Sequence, residues 1–523
     1  MDRSRESLYR TLAAAAIVAA TLLVYLNTLQ NGFVYDDNSV LLANPWITDI
    51  GRVKDIMTSS VMSFGEGNPT SNTYRPAVYL LWMAFYHAAG FSAKFFHLVN
   101  ITLHAVNAVL VFAIAGRLFS GGEEGGFMRG PLKPYARLAA PVLAGLVFAL
   151  HTVNTEVVNW VSAQAELSFT FFVLLGFYLY IRRAEQGRRG WGSLVLPAVF
   201  FFVGLLGKET AMAFIPMAAA YDLSAGGPRG VRKGARGYAL FIIAAAAYMA
   251  IRMNAVGGVM HHKQIDLSAY ETLINVFPLV FDYFAKLAYP AGLNALYEFH
   301  PAHSITDGRV LLGAGATAVF VLAAVLFRKN RAVFSALAWI IAPLLPVLYI
   351  PALSTAAFAD RYMYLPSAGF ALLLAAVVNR VFARQAYAPG PAGARVYIIL
   401  ALSAALLLSY SVASVKRSAA WRSDYTLWAD TVEKSPNNGN VHYNLAWASQ
   451  ARGDSRGAVI HYREAARLDP GAADARYNLG IIYANDMMLD EAAAEFSEAL
   501  RVNPGFEQAR EWLDRVSSLK GLN

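Results

Sequence analysis

The sequence predicts an all-α, polytopic membrane protein that ends in a helical-repeat domain. Hydrophobic residues make up 57% of the 523-residue chain, and mean hydropathy is +0.40. Soluble globular domains contain about 45 to 50% apolar residues. Apolar runs long enough to cross a bilayer recur between short basic loops, as in multi-span proteins. From residue 421 onward a 34-residue period replaces them, which is typical of stacked helical repeats.

Composition excludes several kinds of site. The chain has no cysteine, so disulfides, thiolate catalysis and zinc–thiolate sites are ruled out. The formal net charge is +9, but the basic residues fall mostly in short loops between apolar runs, where they set membrane orientation. We therefore predict a lipid bilayer as partner and no nucleic acid.

The first apolar run, residues 10–29, predicts a retained transmembrane helix. Arginines precede it at positions 3, 5 and 10, which places the N-terminus in the cytoplasm by the positive-inside rule. Polar residues follow at once, without a small-residue cleavage site. The acidic pair Asp36-Asp37 is therefore expected on the outer face.

The remaining apolar runs predict about eleven spans in total. The run 76–90 is too short to cross comfortably and is predicted as an interfacial helix. The run 272–289 carries Asp282 and Lys286, so we assign it to an outer-face amphipathic or re-entrant helix. The odd count places the C-terminal part outside. The predicted spans are residues 10–29, 97–118, 138–155, 160–181, 192–207, 210–223, 238–253, 309–327, 332–350, 362–383 and 396–414.

The C-terminal period resembles the tetratricopeptide repeat. Pro436, Pro470 and Pro504 are 34 residues apart, and two full repeats lie between flanking helical segments at 423–435 and 505–518. Such repeats bind peptides in a concave groove. The alternative role is packing or oligomerisation. We place a membrane domain at 1–415 and a repeat domain at 416–523, with the repeated Asn444 and Asn478 as candidate groove contacts to a protein acceptor.

Polar clusters of the membrane domain open, in this threading, mostly to the outer side. In the second span, His97, Asn100 and His104 lie at positions i, i+3 and i+7, so they share one face of the helix. Convergence of acidic, basic and imidazole groups on one side predicts a site there. The clusters are Asp36-Asp37, Tyr74-Arg75, His97 with Asn100 and His104, residues 151–156 from His151 to Glu156, Lys208-Glu209, and Asp360-Arg361-Tyr362.

An outward site has no access to cytosolic nucleotide sugars or ATP, so group transfer there needs a lipid-linked donor. Arg75, Lys208 and Arg361 are candidates to neutralise a lipid phosphate. Asp36 or Asp37 is a candidate general base toward an acceptor hydroxyl. Candidate substrate-binding residues are His97, His151, Glu156, Glu209 and Tyr362.

Each of these groups has an alternative interpretation. Lys208-Glu209 fits an ion pair at a helix break, and the histidines fit helix-packing hydrogen bonds. The adjacent carboxylates Asp36-Asp37 suit a divalent cation, but two carboxylates alone do not define a metal site. We assign no metal ligands and no certain cofactor. The adjacent His261-His262 is interpreted as a solvated turn.

Six segments together resemble the transmembrane and tetratricopeptide-repeat-containing O-mannosyltransferase family and its bacterial relatives. The likeness covers nearly the whole chain. The segments are NGFVYDDNSVLLANP (31–45), YRPAVYLLW (74–82), FFHLVNITLHAVNAVLVF (95–112), HTVNTEVVNWVSAQAEL (151–167), LLGKETAMAFIPMAAAYDL (205–223) and DRYMYLPSAGFALL (360–373).

The resemblance implies a C-type glycosyltransferase fold, an inverting mechanism and a polyprenyl-phosphate sugar donor. It places the catalytic acidic motif on Asp36 and Asp37 and the first-loop interfacial helix on 76–90. The family's H-P-x-H-T-E wording is HTVNTE here, with Thr152 and Asn154 at its proline and second histidine, which puts a role for that histidine in doubt.

The leading hypothesis is a membrane glycosyltransferase that moves a sugar from a polyprenyl-phosphate donor to an acceptor hydroxyl, with protein Ser or Thr as the expected acceptor. The expected location is a bacterial inner membrane, with the N-terminus cytoplasmic and the repeat domain periplasmic. A non-enzymatic membrane scaffold with partner-binding repeats is the alternative. A transporter is disfavoured because the membrane part shows no internal symmetry.

Overall fold

A computed structural model of the chain describes residues 3–65, 71–119, 133–187, 190–258, 266–352, 356–385 and 393–522. The described residues contain helices and no strand. They form two compact units, Met1–Leu293 with Pro301–Ala419, and Asn294–His300 with Ala420–Asn523. The His261-His262 pair and parts of the basic loops at 129–137 and 380–395 lie outside the described residues.

The first unit is built from fourteen helices in the described ranges. They are α1 (Arg3–Val24), α2 (Val53–Thr58), α3 (Pro76–Ala89), α4 (Ala93–Leu118), α5 (Lys133–Leu150), α6 (Thr155–Asn159), α7 (Gln164–Glu185), α8 (Gly192–Gly207), α9 (Phe214–Val256), α10 (Ala269–Ala288), α11 (Gly308–Leu326), α12 (Arg331–Ile341), α13 (Tyr364–Gln385) and α14 (Gly393–Ser418). The helix α9 breaks at Gly227, whose φ is +59°.

Within the described residues, seven helical stretches are long and apolar enough to cross a membrane, so the protein is an integral, multi-pass membrane protein. An eighth forms if the pair Leu138–Leu150 and Thr152–Asn159, bent by 45°, counts as one span. The seven are Arg5–Val24, Ala93–Leu118, Val161–Glu185, Gly237–Val256, Gly308–Leu326, Asp360–Phe382 and Val396–Arg422.

The predicted count of eleven spans is not confirmed. Two predicted spans correspond to the shorter helices α8, with 16 residues, and α12, with 11 residues, whereas about 20 residues are needed to cross the hydrocarbon core. A third, 210–223, continues into α9. The first span also ends earlier than predicted, because the chain leaves α1 after Val24 and forms a 3₁₀ turn at Leu26–Gln30.

Local signals explain the bounds of helix α3. Pro76 occupies the first turn of α3, where its missing N–H is not needed, and Gly90 ends the helix with a φ of +61°. Ser92 then caps α4 by accepting a hydrogen bond from the Phe95 N–H. The predicted interfacial segment 76–90 is therefore a helix, and Arg75 lies directly at its start.

Gly369 permits the close approach of α13 to α12. A Cβ there would lie 2.7 Å from both the Ala336 carbonyl oxygen and the Ile340 nitrogen. Gly369→Ala is therefore expected to lower the free energy of unfolding by about 1 to 3 kcal/mol through overpacking, measured as a lower unfolding midpoint in detergent. The matched control is Gly315→Ala on α11, where a Cβ would meet nothing within 4 Å. An equal loss in both variants would contradict the packing argument.

The second unit contains six helices within its described residues, and each packs against the next. The alanine and aromatic positions of the 34-residue period, Ala458 and Ala492 with Tyr462 and Phe496, are fully buried in its core. A Cβ at Gly480 would lie 2.7 Å from the Phe496 ring. The helices are α15 (Asp424–Lys434), α16 (Gly439–Ala451), α17 (Ser455–Leu468), α18 (Ala473–Asn485), α19 (Leu489–Val502) and α20 (Glu507–Leu522).

A short segment from earlier in the chain completes this second unit. The Ser435 hydroxyl accepts a hydrogen bond from the Asn294 side-chain amide at 2.8 Å and donates to the Leu296 carbonyl oxygen at 2.8 Å. The Asn437 N–H donates to Glu298 at 2.8 Å. Residues 294–300 gave no sign in the sequence of belonging with the C-terminal helices.

Candidate functional site

Asp37 anchors the loop that carries the acidic pair. Its side chain is fully buried. One carboxylate oxygen accepts from the Ser162 N–H at 2.7 Å and the Ser162 hydroxyl at 2.5 Å, and the other accepts from the Val34 N–H at 3.1 Å. Burial raises the pKa of Asp37 to about 7, although these hydrogen bonds oppose the rise. Asp37 therefore ties its loop to the turn that precedes α7.

The Asp36 carboxylate, in contrast, makes no hydrogen bond or ion pair with the described residues. Burial raises the pKa of Asp36 above its ordinary value, and the positive charges of Arg361 and Arg75 partly oppose that rise. The side chain is half-buried. The Asp36 carboxylate therefore suits the role of a general base, because its oxygens are available to accept a proton beside cationic side chains.

The backbone around Asp36 is unusual on both sides. Tyr35 has a φ of +59°, a left-handed conformation that is costly for a bulky residue. Its ring stacks on Trp160 at 5.3 Å between centroids, which helps to hold it there. Asp37–Leu42 forms a π-helical turn, a rare element that occurs often at functional sites. These constraints fix the direction of the intervening carboxylate.

Arg361 lies in a buried ion pair beside the aromatic stack. Its guanidinium donates to Glu156 at 2.8 Å, and its main-chain N–H donates to the second Glu156 oxygen at 3.1 Å. The Glu156 side chain is 2% exposed and that of Arg361 15% exposed. The guanidinium also lies 5.4 Å from the Trp160 ring and 5.1 Å from the Tyr362 ring. The guanidinium thus lies beside the Trp160 ring, on which the Tyr35 ring stacks.

Lys208 forms a second buried ion pair, but not with its neighbour in sequence. Its ammonium donates to Glu166 at 2.6 Å and lies 5.1 Å from the Tyr362 ring. Lys208 has extended backbone in the break after α8, and Glu209 begins a 3₁₀ turn at Glu209–Ala213. The structure therefore contradicts the alternative that Lys208 pairs with Glu209.

Arg75 has no carboxylate partner within the described ranges, and its Nε is buried without a hydrogen bond. Its charge nevertheless acts on both Asp36 and Glu166. The charges of Arg75 and Arg361 both act on Asp36. The same two charges act on Glu166, the partner of Lys208. The three predicted cations thus share one charged neighbourhood with one of the two predicted carboxylates.

The predicted imidazole groups bind main-chain carbonyls. His97 lies 3.2 Å from the Gly32 carbonyl oxygen, and Asn100 on the same face of α4 donates to the Val158 and Trp160 carbonyls at 3.2 and 3.1 Å. This face therefore holds the acidic loop and the Trp160 segment together. His104 lies 3.0 Å from the Ala149 carbonyl oxygen.

His151 is also bound on both ring nitrogens. Its Nδ1 accepts from the Val153 N–H at 3.2 Å, so its Nε2 donates to the Leu287 carbonyl at 2.9 Å. Its side chain is fully buried. A direct substrate contact by His97 or His151 stays a prediction.

The two repeated asparagines of the second unit differ in their contacts. Asn444 donates back to the Asn440 carbonyl at 2.8 Å, and Asn478 donates to the Tyr443 hydroxyl at 3.2 Å. Both are half-buried. Their role in binding an acceptor stays a prediction.

Three residues of this site were not predicted from the sequence: Trp160, Ser162 and Glu166. All three lie in the stretch 151–167 that was noted for its resemblance. The available signal was Glu166 itself, an acidic residue in the first turn of the apolar helix α7, because a charge at membrane depth needs a partner or a function. Among the described residues, no three His, Cys, Asp or Glu side chains gather in a way that could hold a metal ion.

Comparisons with known proteins place the chain near one group of enzymes. No protein-family model matches the sequence. Protein O-mannosyl-transferase TMTC3 of Homo sapiens is 22% identical over 96% of this chain. Protein O-mannosyl-transferase TMTC4 of Mus musculus is 27% identical over 85%, and protein O-mannosyl-transferase F38B6.6 of Caenorhabditis elegans is 25% identical over 87%. The chain spans 56%, 64% and 62% of the lengths of these three relatives.

Proposed function

We propose that this chain, a TMTC-like relative of the protein O-mannosyl-transferases, is a membrane glycosyltransferase that moves a sugar from a polyprenyl-phosphate donor to a protein Ser or Thr hydroxyl. The observation that carries this proposal is Asp36, a half-buried carboxylate without a hydrogen-bond partner in the described chain and within the field of Arg75 and Arg361. The names of the relatives support the reaction class.

In this mechanism Asp36 removes the proton from the acceptor hydroxyl. The hydroxyl oxygen attacks the anomeric carbon of the sugar, and the bond from that carbon to the phosphate oxygen breaks, with inversion. Polyprenyl phosphate leaves with the electron pair of the broken bond. General-base assistance of this kind contributes about 10² to 10⁴ in rate.

Arg75, Lys208 and Arg361 stabilise the charge that develops on the departing phosphate. Arg361 and Lys208 are held in place by Glu156 and Glu166, so these two cations are oriented before the donor binds. Such preorganised charges act in a poorly solvated site, where they are worth more than in water. Tyr362 orients both cations through its ring.

We assign Asp37 a positioning role and Asp36 the role of base. All the hydrogen bonds of the Asp37 carboxylate go to Ser162 and Val34, which leaves the neighbouring carboxylate to face the substrate. The basic loops favour an N-terminus on the cytoplasmic side and an acidic loop on the outer face. The C-terminal helices would then act as a tetratricopeptide-repeat module that gathers the protein acceptor.

The proposal is tested with the full chain in lipid nanodiscs, a polyprenyl-phosphate donor with a radiolabelled hexose and a Ser/Thr-containing peptide. We expect label on this peptide, no label on a matched peptide with Ala at each Ser and Thr, and no transfer from a nucleotide sugar. Transfer from the nucleotide sugar would contradict the donor class. A folded protein that transfers from no hexosyl donor would favour the scaffold hypothesis.

A further inference from the structure

Among the buried polar atoms that lack a hydrogen-bond partner in the described residues, three belong to Tyr248 and to two charged side chains whose fields reach it. They are the Nε of Arg75, one carboxylate oxygen of Glu209 and the hydroxyl of Tyr248. Arg75 starts α3, Glu209 lies in the break after α8, and Tyr248 lies in α9. Three separate elements thus each contribute one unsatisfied group.

The charges of Glu209, Arg252 and Arg75 all act on the Tyr248 hydroxyl. A direct ring contact links Tyr248 to Tyr74, the residue before Arg75. The Tyr74 ring lies 6.2 Å from the Tyr248 ring. We call Arg75, Glu209 and Tyr248 the orphan triad.

Two residues beside the triad are hydrogen-bonded to main-chain carbonyls. The Tyr74 hydroxyl donates to the Met57 carbonyl at 2.6 Å, and the Arg252 guanidinium donates to the Asn72 carbonyl at 2.7 Å. Tyr248 is fully buried. The Tyr74 hydroxyl proton is therefore not available to the triad.

An unsatisfied buried polar group costs about 1 to 3 kcal/mol. A ligand that reaches all three groups would supply the missing partners. The triad offers a donor in Arg75, an acceptor in Glu209 and a group that does both in Tyr248. A hydroxyl group also donates and accepts, so adjacent hydroxyls of a polyol complement this set. A second phosphate does not, because the Glu209 carboxylate would repel it.

We propose that the orphan triad binds the hexose hydroxyls of the donor and sets the selectivity for the sugar. The inference rests on the proposed function, since it requires a lipid-phosphate sugar. The placement agrees with this role, because the charge of Arg75 acts on both Asp36 and Tyr248. Lys208 and Glu209 are neighbours at one chain break, where Lys208 belongs to the proposed phosphate site and Glu209 to the triad. A hexosyl phosphate would occupy both sites.

The experiment uses the full chain and its Tyr248→Phe and Glu209→Gln variants in nanodiscs. Binding of polyprenyl phosphate, and of the same lipid carrying mannose, glucose or galactose, is measured by calorimetry. Transfer kinetics are measured with each donor. Matched controls are Tyr397→Phe and Glu511→Gln, both at exposed positions.

We expect both triad variants to weaken binding of the preferred hexosyl lipid about 10-fold to 100-fold, the range for a lost hydrogen bond to a charged or buried group. Affinity for polyprenyl phosphate alone should not change. The KM of the preferred donor should rise more than kcat falls, and the preference among the three sugars should shrink, because a site that bonds a hydroxyl rejects sugars that misplace it. The control variants should behave like the wild type.

Two results separate failure of this inference from failure of the proposed function. If the wild type binds hexosyl lipid no better than polyprenyl phosphate, or if both triad variants retain sugar preference and affinity, the triad does not read the sugar, whatever the transfer assay shows. If the wild type binds neither lipid, the donor assignment itself is wrong and the triad proposal falls with it.

Discussion

Asp36→Asn is expected to lower kcat for sugar transfer by about 10² to 10⁴ while the unfolding midpoint stays close to that of the wild type. The substitution removes the proton acceptor and keeps the shape of the side chain, and the Asp36 carboxylate makes no hydrogen bond with the described residues that the fold would lose. Transfer from a polyprenyl-phosphate hexose to a Ser/Thr peptide is the measurement. The control is Asp266→Asn, an exposed aspartate in the same unit.

Asp37→Asn provides the contrast within the motif. In the asparagine variant, the NH₂ group, which can only donate, would face either the Val34 N–H or Ser162, which are themselves donors to Asp37. The loop would therefore lose a hydrogen bond, and the unfolding midpoint should fall. Equal activity of wild type and Asp36→Asn, with loss only in Asp37→Asn, would transfer the role of base to Asp37.

The role of Asp36 as base determines whether transfer activity rises or falls with pH. A base must be ionised, so transfer by the wild type should rise with pH through the pKa of Asp36. Burial raises that pKa, and the rise in activity should therefore occur above the ordinary range of an aspartate. A flat profile across mildly acidic pH would contradict this role.

Arg361→Met is expected to lower the free energy of unfolding by about 3 to 5 kcal/mol, because it leaves the Glu156 carboxylate buried without its counter-charge. Glu156→Gln should also destabilise, by leaving the guanidinium unpaired. The double variant should cost less than the sum of the two single variants, since neither uncompensated charge remains. Chemical unfolding in detergent, followed by circular dichroism, measures all three.

An exposed ion pair of the second unit supplies the control. Arg467 and Glu464 are 65% and 32% exposed in their pair, so Arg467→Met should leave the unfolding midpoint close to that of the wild type. Additive losses for Arg361 and Glu156 would show that the two side chains do not act as a pair in the folded protein.

Much of this organisation could be predicted because hydropathy and motif spacing report directly on it. The helix at 76–90 follows from the length of its apolar run, and the gathering of three cations follows from polar residues at the ends of such runs. The outer position of these cations stays a prediction. The 34-residue spacing likewise identified Ala458, Ala492, Tyr462 and Phe496, which are all buried. In each case a local pattern was sufficient.

The parts that escaped prediction depend on contacts between distant segments. Nothing near Lys208 indicates that it pairs with Glu166 rather than with the adjacent Glu209, because Glu166 lies 42 residues earlier in the chain. Hydropathy also does not reveal where a helix ends: the apolar run 332–350 contains the 11-residue helix α12, which ends at Ile341. The different environments of Asp36 and Asp37 arise from Ser162, which lies more than a hundred residues away.

The chain break at Lys208 and Glu209 places a buried cation directly before a carboxylate that is not its partner, since Lys208 pairs with Glu166. Consecutive α-carbons are a fixed distance apart, about 3.8 Å. In the proposed site, the distance between the phosphate-binding ammonium and the sugar-binding carboxylate is therefore limited by the covalent chain. A lipid diphosphate donor keeps the same linkage between sugar and phosphate and adds its second phosphate on the lipid side, so this spacing alone does not distinguish it from a monophosphate donor.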